Sequence, residues 1–413
     1  MEADVLVIGA GLAGLNAARR LEGAGLVPLV LEASDAIGGR VRTDSVDGFR
    51  LDRGFQVLNP AYPALREAVD VARLALRPFG RGLVVHTASG SRELVDPFRQ
   101  PWAAGELVRA SLADGAGTRA LVRWLLPALR GRGALAALPD ESLTASLDAA
   151  GVRGALRTEI LEPFLTGVLA DDQGATSASF ARWLTRWFAL GTPSLPAQGM
   201  AALPALLRSR MAARVHLDTR VDHLAKQGTG WVAQTAGGPF TGAAVVVATD
   251  PVTASALTGL PAPRMRGLAT WWFSAPQAPI ESRCLQVDGS RRGPVVNTAV
   301  ISNVQPAYAP AGRHLVQAST LLVGAAPSEA DVRVHLEQLY ACSTTDWTVV
   351  ATHLIPQALP AIEPGGWRRV PTASDEGVIV AGDSSDASIQ GALQSGVDAA
   401  ARVVARLQGG PTR

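Results

Sequence analysis

The chain has 413 residues, 47% of them apolar, and a formal net charge of +2. At roughly 150 residues per domain this allows about two or three domains with a large core. The near-neutral charge and the lack of any Lys/Arg block give nucleic acid no footing. Cys284 and Cys342 are far apart and in no metal spacing, which leaves no disulfide framework and fits a reducing compartment.

The chain opens on Glu2 and Asp4, where an export signal would carry positive charge. "DVLVI" (Asp4 to Ile8) then reads as a short β-branched, buried parallel strand. "GAGLAGLNAARRLEGAG" follows, with Gly9, Gly11 and Gly14 leading into a helix whose Leu12, Leu15, Ala18 and Leu21 share one face. A second apolar strand, "LVPLVLEAS" (Leu26 to Ser34), carries Glu32 near its end. Each glycine has a physical reason: Gly9 for the tight turn, Gly11 for close approach of a pyrophosphate, Gly14 for close packing of helix on strand. The phosphate would sit on unsatisfied N–H groups at the helix start, and Glu32 would accept hydrogen bonds from an adenosine ribose. A bare helix start with spare glycines explains none of this context. Glu32 also repels a 2′-phosphate, which argues against NADP.

"AIGGRVRT" (Ala36 to Thr43) comes next. Gly38 and Gly39 allow a second close backbone approach, and Arg40 and Arg42 bring positive charge to phosphate oxygens. The chain then alternates over "GFRLDRGFQVL" (Gly48 to Leu58), which predicts β structure instead of the next Rossmann helix and favours FAD over NAD. Residues 97–191 look helical. Within them Trp183, Trp187 and Phe188 alternate with Arg182 and Arg186. This pattern suits either a membrane-surface helix or core aromatics with arginines outside; the core reading is preferred. Residues 192–260 return to alternating strands and end in "GAAVVVA", too short for the ~20 residues a bilayer requires. Residues 261–361 look mainly β, with one helix over 329–342.

Near the C-terminus, "GVIVAGDSSDASIQGALQSG" gives a buried strand, then Gly382 and Asp383, then a helix starting near Ile389 and Gln390. The carboxylate suits a ribitol hydroxyl. The helix N-terminus can aim its dipole at a flavin, worth up to ~2 kcal/mol, on the order of 40 mV for a two-electron couple.

The segments "VIGAGLAGLNAARRL", "LEASDAIGGRVRT" and "AGDSSDASIQGALQSG" resemble the FAD-binding motifs of the flavin amine oxidase superfamily. "LDRGFQVLNPAYPALR", "TPSLPAQGMAALPALL" and "IPQALPAIEPG" look closest to its phytoene-desaturase-like and protoporphyrinogen-oxidase-like branch. The resemblance implies an α/β fold: a discontinuous Rossmann-type FAD-binding domain (1–96, 192–260 and 362–413, with parts of 48–96 open to joining the other sheet) and an inserted α+β substrate domain (97–191 and 261–361). It implies that Gly9, Gly11, Gly14, Glu32, Gly39, Arg40, Val221 and Asp383 contact noncovalent FAD. Where the family places an arginine two residues before the glycine pair, this chain has Ala36.

Lys226 is the only lysine, in "HLAKQGTG" at a hairpin tip. Many amine oxidases of this superfamily hold a lysine near flavin N5, and nothing here could supply it. The leading expectation is therefore an FAD-dependent enzyme dehydrogenating a hydrophobic substrate, polyene- or porphyrinogen-like, with oxygen or a quinone as electron acceptor. A lysine-independent amine oxidase and a non-catalytic flavin-bearing protein are the alternatives. Gln56, Met200, Trp271, Trp272 and His353 are candidate pocket residues, each with a structural reading beside it. No metal site is expected. The chain is expected in the cytoplasm, with peripheral membrane contact the less favoured option; the oligomeric state is open.

Overall fold

The computed structural model describes residues 3–95, 115–369, 372–374 and 376–408. The strand Ala3–Ile8 lies at the centre of the first sheet, pairing in parallel with Pro28–Leu31 on one side and Gly238–Val247 on the other. Val5, Leu6 and Val7 are wholly buried, as a continuous apolar run covered on both faces must be. Arg214–His216 extends the sheet beyond Pro28–Leu31. The antiparallel ribbon Val221–Gln227 and Gly230–Thr235 extends it beyond Gly238–Val247. Ile379–Val380 also pairs in parallel with Gly238–Val247, so the last strand among the described residues returns to the sheet that holds the first.

Two helices seal this return. Leu12–Gly23 and the C-terminal Ile389–Gln408 meet where side chains are absent. A Cβ on Gly396 would lie 2.4 Å from the Ala13 carbonyl oxygen, and one on Gly14 only 2.0 Å from that of Gly9. The buried Asn16 amide donates to the Leu393 carbonyl at 2.8 Å, tying the helices backbone to side chain.

The second sheet runs Thr348–Pro360, Met265–Ala275, His314–Leu321, Val295–Val300, Leu285–Asp288, Gly82–Thr87, Gly90–Val95. It is antiparallel except where Leu285–Asp288 meets Gly82–Thr87. Strand alternation sends Trp271 and Phe273 toward the helix Glu329–Tyr340, and Trp272 toward Phe49, Leu51 and Tyr308. That helix ends two residues short of the expected 342, because Ala341 turns left-handed at φ +52° and closes it. A helical layer, including Gly115–Leu129, Glu162–Leu169 and Ala178–Leu190, packs around Trp124, Leu165, Phe180 and Trp367. The expected helical residues 97–114 lie outside the described residues.

Two sequence expectations need correction. The extended run read over Gly48–Leu58 is a strand only over Phe49–Asp52. The chain then turns at Gly54, φ +90°, whose Cα packs so close that a Cβ would meet the Ile355 side chain at 2.8 Å. And the arginines of the aromatic helix are not all outside. Arg182 is buried, donating to the Trp124 carbonyl and Ser146 Oγ with its guanidinium 4.4 Å from the Trp124 ring centre.

Asp52 holds the strand end to its surroundings: it accepts from Thr43 Oγ1, the Met200 amide and the Tyr308 hydroxyl. Burial pushes its pKa up to about 6, against those three donors. A carboxyl raised on folding stabilises the native state below its unfolded pKa, and that stability is lost as pH rises through about 6. Denaturant titrations of the protein and of Asp52→Asn at pH 4 and pH 7.5 should therefore diverge with rising pH, the native chain losing up to roughly 3 kcal/mol relative to the variant. Parallel behaviour would remove Asp52 from the pH dependence. For the helix junction, Gly396→Leu should cost about 3 kcal/mol in a urea titration and release bound flavin, whereas an unchanged midpoint would refute the close contact.

Candidate active site

Ends of parallel strands and the glycine turns that leave them open a cleft of about 700 Å³. Gly9, at φ +103°, turns the first strand into its helix where a Cβ would strike the Ala248 carbonyl oxygen at 2.6 Å. Gly11 caps that helix with no side-chain partner, and a Cβ there would meet nothing within 4 Å: its face is the open cleft. The helix's first N–H groups therefore point at space suited to an anion. Gly38 and Gly39, both at positive φ, bring a second loop against this turn; the Gly38 amide donates to the Ala10 carbonyl, and a Cβ on Gly39 would come 3.4 Å from the Gly11 Cα.

Glu32 directly follows the second strand, Pro28–Leu31, in the cleft wall. Its Oε2 accepts from the Ala10 amide at 2.6 Å, and Oε1 accepts from the Ser34 amide and hydroxyl. Arg40 reaches across to the other end of the chain, donating to Asp383 Oδ1 at 2.6 Å and to the Ala358 carbonyl at 2.9 Å. Burial works against its charge, but Asp383, with Asp250 nearby, holds the guanidinium's pKa above the ordinary value. Gly382 donates to Ser395 Oγ, and Ser388 Oγ accepts from the Gly391 amide, so the turn before the C-terminal helix is fixed by side chains of that helix. Behind this turn Asp386 accepts from Ser388 Oγ and Trp183 Nε1. Burial raises its pKa despite both donors.

Gly9, Gly11, Glu32, Gly38, Gly39, Arg40, Gln56, Val221, Gly382, Asp383 and Ile389 thus line one cleft, gathered from distant stretches of sequence. Six other sequence candidates do not. Gly14 is a packing position under the glycine turn. Gln390 faces inward, its Oε1 accepting from the Ala64 amide. Met200 is wholly buried in the core of the first sheet. Trp272 is buried against Phe49 and Tyr308, donating from Nε1 to His353 Nδ1 at 3.3 Å. His353 Nε2 lies 3.3 Å from Asp44 Oδ2, and burial lowers the imidazole pKa despite that carboxylate. Trp271 packs on the opposite sheet face, under the helix Glu329–Tyr340.

Sequence reasoning missed Thr249 and Asp250, which line the cleft just beyond Gly238–Val247. Asp250 also caps the helix Pro251–Thr258, accepting from the amides of Val252 and Thr253. The Asp-Pro pair after an apolar strand was the available signal. Also missed was an apolar wall made by Val57, Tyr62, Val168, Leu184, Phe188 and Leu359. These residues come from four separated segments, with no shared motif. Tyr62 stands edge-on to Trp187, ring centres 5.6 Å apart. Lys226 is exposed on the strand Val221–Gln227, opposite Trp231, and does not line the cleft. Among the described residues no cluster of His, Cys, Asp and Glu could hold a metal ion.

Residues 12–404 match the family described as flavin containing amine oxidoreductase, and the chain belongs to that family. The fold is that of a putative protoporphyrinogen oxidase from Exiguobacterium sp. 255-15, with TM-score 0.72 and 19% identity over 98% of this chain and 99% of that one. A putrescine oxidase bound to putrescine superposes with TM-score 0.74 and 18% identity over 98% of this chain and 100% of that one. Among curated proteins, putrescine oxidase of Kocuria rosea is 49% identical over 70 residues, which is 17% of this chain and 15% of that protein. Polyamine oxidase 2 of Arabidopsis thaliana is 45% identical over 73 residues, 18% of this chain and 15% of that one. These matched stretches span only about a seventh of the relatives' length.

The chain thus belongs to a flavin-containing family, and the cleft suits FAD. The side-chain-free turn at Gly11 leaves room for a pyrophosphate, and Arg40 and Arg42 supply positive charge. Gln56 is held by two donations from Nε2, to the Arg40 and Arg53 carbonyls, while its buried Oε1 has no partner and can take a donor from a bound ligand. Arg40→Ala should weaken FAD binding to the apoprotein about ten- to a hundredfold, the value of a charge-assisted hydrogen bond, in a fluorescence titration. Arg40→Lys should restore only part of it, since a single ammonium does not serve Asp383 and the Ala358 carbonyl with a planar fork. Unchanged affinity in both variants would place the dinucleotide elsewhere.

Proposed function

We propose that this protein dehydrogenates a hydrophobic, polyene- or porphyrinogen-like substrate, passing the electrons through FAD to oxygen or a quinone. The observation that carries this reading is the apolar wall of Val57, Tyr62, Val168, Leu184, Phe188 and Leu359 beside the turn at Asp383 and Ile389. In the same reading Gly9, Gly11, Gly38, Gly39 and Arg40 hold the pyrophosphate. Glu32 takes the adenosine ribose, Val221 lies against adenine, and Asp383 takes a ribitol hydroxyl. Bound FAD supplies the electron-pair acceptor at N5. The chain's own part is to bind, orient and exclude water, because no titratable side chain is placed among the apolar wall residues except the phenol of Tyr62. Burial raises the pKa of that phenol, which keeps it neutral.

The distance of Lys226 from the cleft supports the hydrophobic class over a lysine-assisted amine oxidation. Asp386 supports a second reading. A carboxylate behind an aromatic wall of Tyr62, Trp183 and Trp187 could attract an ammonium, and the curated relatives include oxidases of putrescine and polyamines. With both cysteines free, we place the protein in the reducing cytoplasm.

Anaerobic mixing of the purified holoprotein with candidate reductants separates these readings. Bleaching of the yellow absorbance by a porphyrinogen or an apolar polyene, with none by putrescine or spermidine, is the expected result. Bleaching by the amines alone would reverse the assignment.

A further inference from the structure

The helix Gly115–Leu129 shows a face that the flavin reading leaves without a role. Val122, Leu126 and Leu129 are 48%, 47% and 53% exposed, among the most exposed large apolar side chains of the molecule. They recur at i, i+4 and i+7, so they form one ridge along the helix. Its opposite face is anchored: Trp124 is buried and donates from Nε1 to Ser146 Oγ. The ridge is thus a second apolar surface on a helix whose core-facing side is already satisfied.

A neighbouring helix extends the patch. Arg186 donates to the Ala128 and Leu129 carbonyls, docking Ala178–Leu190 on the end of Gly115–Leu129. One turn beyond Arg186 stands Leu190, 50% exposed. Two residues before Leu190, Phe188 lines the cleft. The apolar surface therefore ends on the very helix that forms the cleft's apolar wall.

The charge carried by this stretch of chain has one sign. Arg119, Arg123, Arg130 and Arg132 are all exposed, and no Asp or Glu occurs between Gly115 and Pro139. On a helical wheel Arg119, Arg123 and Arg130 lie together along one side of the Val122–Leu126–Leu129 ridge. An apolar ridge bordered by arginines is complementary to a surface with an apolar interior and anionic headgroups. No helix among the described residues is long and apolar enough to cross a membrane, so insertion would be shallow and in the plane of the surface.

We propose that the face built by Val122, Leu126, Leu129 and Leu190 with Arg119, Arg123 and Arg130 docks the protein on an anionic lipid bilayer. Docking there sets the helix Ala178–Leu190, whose other side carries Leu184 and Phe188 of the cleft wall, beside the bilayer, the source from which a lipophilic substrate would enter. The orientation builds on the functional reading above, but the binding itself does not require it, so vesicle binding and flavin reduction can fail separately.

The test uses the full-length holoprotein and sedimentation with large vesicles, either of phosphatidylcholine alone or of equal parts phosphatidylcholine and phosphatidylglycerol. Wild type should partition onto the anionic vesicles and not onto the neutral ones. Leu126→Glu with Leu129→Glu should lower that partition at least tenfold, with flavin absorbance and Tm unchanged. Arg123→Gln and Arg130→Gln should each lower it about fivefold and flatten its dependence on salt. If the glutamate pair fails to fold, the glutamine pair decides alone. The proposal is overturned by wild type that ignores anionic vesicles at low salt, or by variants that bind as wild type does. It is also overturned by a wild-type dimer that the leucine variants dissociate, which would assign the face to a second copy of the chain.

Discussion

Everything in the molecule depends on the absence of a few side chains where its first and last segments meet. The C-terminal helix lies against the first helix because Gly396 lets its backbone approach the Ala13 carbonyl. The first helix lies against the turn after its own strand because Gly14 does the same for Gly9. Without these approaches Ile379–Val380 could not reach the edge of Gly238–Val247, and Asp383 would not stand across from Arg40. The cleft depends on that closure, since Gly9 to Arg42 line it from one end of the chain and Gly382 to Ala392 from the other.

The Arg40–Asp383 pair shows how closure and chemistry are coupled. The carboxylate side chain is 10% exposed and the guanidinium 35%, so the pair is partly desolvated and its geometry matters more than on a surface. Arg40 also holds the Ala358 carbonyl at the end of the longest strand of the second sheet. Three parts of the molecule, namely the glycine-rich loop, the roof sheet and the C-terminal turn, are thus registered by one side chain. Asp52 does comparable work between the small hairpin after the glycine loop and Tyr308 below the second sheet.

The glycine-turn side of the cleft was legible in the sequence because its constraints are local. A tight turn, a close approach and a helix start must follow one another within a few residues, so Gly9, Gly11, Gly38, Gly39 and Glu32 could be read from spacing. Arg40, Gly382 and Asp383 could be read because they follow strands. The apolar wall could not be read, because Val57, Tyr62, Val168 and Phe188 share only a location, and tertiary packing sets that location. The same cause misplaced Met200, Trp272 and His353, because tertiary packing sends Met200 into the core of the first sheet and Trp272, with His353 on its Nε1, against Phe49 and Tyr308. Gln390 was misplaced by one position on a helix, where a shift of one residue rotates a side chain from the cleft to the core. Arg182 went astray because a helical pattern of aromatics and arginines does not say which of the two is outside when the aromatic ring itself can bury a guanidinium.

The most direct measurement of the central claim, that the two chain ends together hold one noncovalent FAD, is the flavin content of the purified protein after denaturation. Close to one FAD per chain, released wholly into the supernatant with the precipitated protein left colourless, is the predicted result. A preparation that contains no flavin and takes up none when FAD is added, or flavin that stays with the precipitate, would contradict it.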